Sequence, residues 1–131
     1  MLLDTSGLMC LFDRRDFRHA DAKTFYDTAP SRLTHSYVFA EFVALSNARG
    51  APRVSALVFI ADFQDDEEVE VVWVDETLHR QALDFLRERH DKEWSLCDAV
   101  SILLMMRRGI EDALTTDHHF EQADLRRLLP Q

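Results

Sequence analysis

The chain alternates short apolar runs with longer amphipathic stretches, and its densest apolar run lies near the end. From Leu96 to Met106 every position is apolar or small except Asp98 and Ser101. That pattern predicts a helix buried around most of its circumference, with a carboxylate in its first turn. Ser95-Leu96-Cys97-Asp98 fits a capping box at its start, and Arg107-Arg108-Gly109 supplies a basic stop. Earlier, Met1 to Leu3 reads as a short strand ending at Asp4, after which Thr5-Ser6-Gly7 opens a helix through Leu8, Met9, Leu11 and Phe12. A second helix runs from about Arg18 to Ala29, where Pro30 ends it. Ser31 to His35 reads as a strand, and Ser36 caps a helix to about Arg49, closed by Gly50 and Pro52.

Val54 to Phe63 continues as an amphipathic helix. Val69 to Val74, with Val71-Val72 and Trp73-Val74 in succession, suits a strand buried on both faces of a parallel sheet. Asp75 then caps a helix from about Thr77 to Arg89, and after the Leu96–Met106 run a short strand delivers Asp117. Leu125 to Leu129 makes the last strand. Strand and helix alternate throughout. Parallel neighbours need long right-handed crossovers that helices fill, so the order predicts a three-layer α/β/α sandwich on a mainly parallel sheet of about five strands.

The 131 residues suit one domain, 1–131, with a core that needs no disulfide or structural metal. Three Gly and three Pro argue against linkers. The apolar runs fall short of the roughly 20 residues of a membrane span, and Met1-Leu2-Leu3-Asp4 has no basic leader, so a cytoplasmic protein without membrane contact is expected. Cys10 and Cys97, far apart in sequence, read as free core thiols. A net charge of −9 excludes a protein that coats nucleic acid through a broad basic surface. It leaves room for a site that needs negative charge to hold metal.

Ligands of open parallel sheets bind outside the carboxyl ends of the strands where the order reverses. Asp4 and Asp117 stand at such ends, and they are neighbours if the first and fourth strands pair. Glu41, mid-helix among Tyr37, Val38, Ala44 and Leu45, and Asp98 would hang over the same edge. Four carboxylates together must either take up protons or bind divalent cations, and an oxygen-only donor set suggests Mg²⁺ or Mn²⁺. Capping competes with ligation at Asp4, because Asp, Thr and Ser all accept bonds from the free amides of a helix start.

Asp4-Thr5-Ser6, Glu41 on the third helix, Asp98-Ala99 opening a helix, and Thr115-Thr116-Asp117 followed by Phe120 resemble the acidic signature of PIN-domain ribonucleases. The resemblance covers nearly the whole chain, whose length matches the toxin subunits of VapBC-type toxin–antitoxin pairs. It implies a Mg²⁺- or Mn²⁺-dependent endoribonuclease acting on RNA, often a homodimer, silenced by a small antitoxin protein. Asp4, Glu41, Asp98 and Asp117 would be the catalytic metal ligands, Asp4 and Asp98 the principal ones and Asp117 acting through water. Ser6 and Thr116 would orient these acids, although capping or turn bonds explain hydroxyls at such junctions equally well.

Arg14, Arg15 and Arg18 could grip RNA backbone, or balance Asp13 and Asp16 in a solvated loop. Adjacent His118 and His119 read as a surface turn, with a phosphate contact from His118 as the functional alternative. A receiver domain or an aspartate phosphatase would also put carboxylates at strand ends, Asp75 being the candidate phosphoacceptor. Neither fits well, since Thr5-Ser6 stands where an acid pair or second acid is needed and no Lys follows Lys92. The remaining alternative is a non-catalytic binding module that keeps the fold.

Overall fold

A computed structural model describes residues 1–131. In chain order the elements are β1 (Leu2–Leu3), α1 (Thr5–Phe12), α2 (His19–Thr28), β2 (Leu33–His35), α3 (Ser36–Ala48), α4 (Arg53–Asp65), β3 (Glu70–Val72), α5 (Glu76–Glu88), α6 (Leu96–Arg108), β4 (Asp112–Leu114) and β5 (Arg126–Arg127), with a 3₁₀ helix at His118–Ala123. The five strands form one sheet in the order β3-β2-β1-β4-β5, and every pairing is parallel. This is the expected α/β architecture. Because β1 lies between β2 and β4, the order reverses beside it, and both of its neighbours' carboxyl ends meet there.

Successive strand residues point to opposite faces, so Leu2 and Leu3, both fully buried, join different cores. Leu3 packs in the cluster with Leu8, Val38 and Phe42, while Leu2 packs in the one with Val100, Ile102, Met105 and Phe120. Ser101, a polar exception in the organising helix, shares a 2.8 Å hydrogen bond with His35 Nε2. Burial lowers the His35 pKa to about 3, which keeps that imidazole neutral and the core uncharged.

Two glycines are required by geometry. Gly109 ends α6 in the left-handed region, φ 64°. Gly7, inside α1, lets the helix lie against β4: a Cβ there would stand 2.0 Å from the Leu114 carbonyl oxygen, inside any allowed contact.

The strand around Val71 is less buried than its apolar run suggests. It is an edge strand of three residues whose Glu70 is exposed and whose Val71 and Val72 are only half-buried. Its valines pack against the cores from the margin, and a run of apolar residues does not by itself tell a central strand from an edge covered on part of both faces.

Candidate functional site

Chain direction brings the acids together. β1 and β4 run parallel, with Leu3 opposite Leu114, so Asp4 and the Thr115–Asp117 turn leave the sheet side by side. Asp4 N–H continues the ladder by donating to the Leu114 carbonyl at 3.2 Å. Asp98 enters from the first turn of α6, and Glu41 from the second turn of α3. Asp4, Ser6, Glu41, Glu93, Asp98, Asp117 and His119 line one cleft of about 290 Å³.

Asp4 is 4% exposed. Its Oδ2 accepts from Thr115 Oγ1 at 2.8 Å and from Ser6 Oγ at 3.3 Å, whereas its Oδ1 is buried with no partner. Burial raises its pKa to about 7, with the charges of Asp98 and Glu41 pushing the same way and the Thr115 bond opposing them. Although Asp4 occupies the position before α1, its side chain makes no capping bond. The competing explanation for this acid therefore falls away.

The capping box at α6 is present. Ser95 Oγ accepts from Asp98 N–H, and Asp98 Oδ2 accepts from Ser95 N–H, each at 3.0 Å. Only one carboxylate oxygen is used in this way, so Asp98 can cap with one oxygen and serve the cleft with the other. Asp117 caps the 3₁₀ helix, its Oδ1 accepting from His119 N–H at 2.9 Å.

Glu41 is exposed rather than buried as its apolar neighbours suggest, and it has no ion pair. Leu45 and Glu41 both line the cleft. Apolar residues one turn away thus form a cleft wall as well as core, and helical periodicity does not distinguish the two.

Among the hydroxyls, Ser6 bonds to Asp4, to Thr115 Oγ1 at 3.0 Å and to Thr116 N–H at 2.9 Å. Thr116 takes part through its backbone alone. The hydroxyl that reaches the acids belongs to Thr115, fully buried, which donates to Asp4 and accepts from Asp117 N–H at 3.0 Å. Alternation along the chain leaving β4 turns Thr115 inward and Thr116 toward solvent, which corrects the choice between two adjacent threonines.

The sequence puts His119 in a surface turn, yet its Nδ1 lies 3.0 Å from Asp98 Oδ2 and 3.3 Å from Asp117 Oδ2. The 3₁₀ turn swings it back over the cleft, and Glu93, in the loop before α6, closes another side. A dipeptide of histidines carries no signal of which ring turns inward. His118 is the outward one, half-exposed.

Arg15 pairs with Asp13 and Arg18 with Asp16, the balancing arrangement in that loop, while Arg14 has no partner. Asp75 accepts from Leu78 N–H at 2.8 Å and so caps α5 beyond the edge strand, away from the other acids. Asp75 is accounted for as a cap and does not line the cleft that gathers Asp4, Glu41, Asp98 and Asp117.

Cys10 and Cys97 are free and buried. The Cys97 sulfur lies within 4.8 Å of carboxylate oxygens of Asp4 and Glu41. Burial, with those acids adding to it, pushes its thiol far above the usual range, so it stays protonated and is a poor ligand. With the thiol set aside, the donors at the cleft are the carboxylate oxygens and the ring nitrogen of His119, which lies with Asp117 and His118 in a second candidate ligand group.

The chain matches the family model of the PIN domain over residues 1–125. It is 30% identical over its full length, and over 99% of the relative, to the 23S rRNA-specific endonuclease VapC20 of Mycobacterium tuberculosis, in both the CDC 1551 and the H37Rv strains. The crystal structure of M. tuberculosis VapC20, described as a Sarcin-Ricin loop cleaving toxin, superposes with a TM-score of 0.87 over 98% of each chain at 30% identity. Sequence, fold and acid placement agree: this chain belongs to the PIN-domain family of nucleases, and these relatives within it are VapC-type toxins.

Proposed function

We propose that this protein is a cytoplasmic, divalent-cation-dependent endoribonuclease of the VapC type that cuts ribosomal RNA and is held inactive by a small antitoxin. The observation that carries the metal reading is Asp4. A buried carboxylate with one oxygen unpartnered, raised to about 7 by burial and by two neighbouring acids, is a group arranged for a cation. Asp4 and Asp98 would be the principal ligands, with Glu41 and Asp117 completing the set, and hard oxygen donors suit Mg²⁺ or Mn²⁺. When bound there, such an ion lowers the pKa of a coordinated water and stabilises charge building on phosphodiester oxygens.

The protein's own part is orientation. Thr115 and Ser6 hold Asp4 Oδ2 and leave Oδ1 without a protein partner, and the Thr115 hydroxyl ties that acid to the Asp117 backbone. His119 Nδ1 lies within hydrogen-bond reach of both Asp98 and Asp117 and so fixes their separation. A hollow of about 430 Å³ between α1, α2 and α4, walled by Leu11, Tyr26, Phe59 and Phe63, offers the antitoxin apolar surface. An antitoxin Arg reaching the cleft would satisfy the carboxylates in place of the cation.

Primer extension on 23S rRNA treated with the purified protein should show cleavage in Mn²⁺ or Mg²⁺ and none in EDTA. Robust cleavage in EDTA overturns the metal reading. Co-expression with the product of the adjacent reading frame should relieve growth inhibition and yield a complex, and independent migration of the two proteins counts against the antitoxin.

A further inference from the structure

The sequence contains fifteen Lys and Arg residues. Almost all of them are engaged: eleven make ion pairs and Arg107 bonds to Gln81. The other three, Arg14, Arg49 and Arg53, have neither an ion pair nor a side-chain hydrogen bond, and all are exposed. Two of them, Arg14 and Arg49, are far apart in sequence but close in the fold: they line one cavity of about 590 Å³ between the end of α1 and the α3–α4 connection, whereas Arg53 lines a different hollow with Val43, Asn47 and Leu57.

Asp13 and Asp16 also line this cavity, but Arg15 and Arg18 already neutralise them, and each pairing holds its acid below the usual carboxylate range. The cavity therefore keeps a net positive charge on a chain of −9. Two guanidinium groups left unpaired at one cavity of an acidic protein mark a place for an external anion.

The position indicates which anion. Glu41 and Leu45 share a stripe of α3, and Arg49, the residue that caps its end, continues that line at four-residue spacing. Glu41 and Leu45 line the acid cleft and Arg49 lines the basic cavity, two helical turns or about 12 Å further on. A nucleic acid strand lying in the cleft and following this flank of α3 would bring its backbone to the arginines. Phe17, 75% exposed in the loop after Arg14, adds an aromatic face of the kind on which unpaired bases stack.

We propose that Arg14 and Arg49 form a backbone-phosphate subsite for RNA, remote from the carboxylates, that positions the strand a few nucleotides from the cut. This rests on the ribonuclease reading above. These residues touch neither the cleft acids nor the scissile bond, so they are positioning residues. They govern affinity and leave the maximal cleavage rate alone.

The test is fluorescence anisotropy on a labelled single-stranded RNA of about 16 nucleotides in EDTA, where nothing is cut, across a salt series. Relative to wild type, R14Q/R49Q should bind roughly tenfold more weakly and lose about 1.4 from the salt slope, since each phosphate contact on a single strand contributes about 0.7. R14K/R49K, which keeps the charge, should retain most of the affinity, and Arg107→Gln should bind as wild type. On 23S rRNA in Mn²⁺, R14Q/R49Q should raise the half-saturating concentration without lowering the maximal rate. Unchanged RNA binding by a folded R14Q/R49Q overturns the subsite, even while wild type still cuts. If that variant instead loses only antitoxin binding, the cavity belongs to the protein partner and the RNA subsite is overturned. Metal-dependent cleavage by wild type tests the nuclease reading separately.

Discussion

The two ends of α3 make opposite choices about charge. At its beginning, Glu41 joins Asp4, Asp98 and Asp117 in a cleft where no Lys or Arg pairs with any of them. Past its end, Arg49 joins Arg14 at a cavity whose acids are already satisfied. Elsewhere the surface is laced with pairs such as Lys23–Asp27 and Arg80–Glu76, each worth little individually in solvent. The contrast shows that net charge is a poor guide to this molecule. A total of −9 conceals one acidic and one basic locus, and both stand out by lacking partners.

The largest effect should come from breaking the acidic end. Asp4→Asn is expected to lower Mn²⁺-dependent cleavage by ~100-fold or more, since removing even an outer partner of a metal ligand typically costs 10–100-fold. Single-turnover cleavage of 23S rRNA measures it, and wild-type rates in the variant would remove Asp4 from the chemistry.

Next in size is the pH dependence of stability. An acid at about 7 in the native state binds its proton more tightly than in the unfolded chain, so native stability falls as pH rises from about 4 to 7 and stays lower above that. The shift of roughly three pH units corresponds to about 4 kcal/mol at this one site. In EDTA, Asp4→Asn should therefore melt close to wild type at pH 4 and above it at pH 8. Saturating Mn²⁺ should reverse the advantage at pH 8, because metal stabilises only a fold that binds it. Parallel pH profiles for the two proteins in EDTA would refute the assignment.

Glu41→Gln should act more gently, since this acid is exposed. Its melting temperature in EDTA should equal or slightly exceed that of wild type, with a smaller Mn²⁺ shift. Marked destabilisation in EDTA with an undiminished Mn²⁺ shift would take Glu41 out of the site. The smallest effect is expected for Asp75→Asn, which should leave cleavage intact and change stability by only a few tenths of a kcal/mol, because Asn caps helices about as well as Asp. Lost activity in a folded Asp75→Asn protein would show a role beyond the cap of α5.

Alternating apolar runs were enough to read the order of strands and helices, and strand ends were enough to locate Asp4 and Asp117. Three features escaped for physical reasons. Glu41 sits among apolar residues that form a wall rather than a ceiling, so its exposure is a property of the cleft and not of α3. The strand around Val71 is only half-buried at its two valines, and a run of apolar residues does not encode how fully each face is covered. His119 and Thr115 differ from their neighbours His118 and Thr116 only in which way the chain turns after β4. Adjacent identical residues carry no sequence signal that could separate them.

Gly7 carries no charge and touches no ligand, yet it bears on how far this sequence can drift. Because a single methyl group at position 7 would collide with the Leu114 carbonyl, α1 could accommodate it only by lifting away from β4. That movement would draw Ser6 and Asp4 off Thr115, on the opposite wall. Asp75 can exchange for another cap and Arg15 for another surface cation with little loss. Position 7 has no such substitute, so a residue without functional groups is as tightly specified as the carboxylate three places before it.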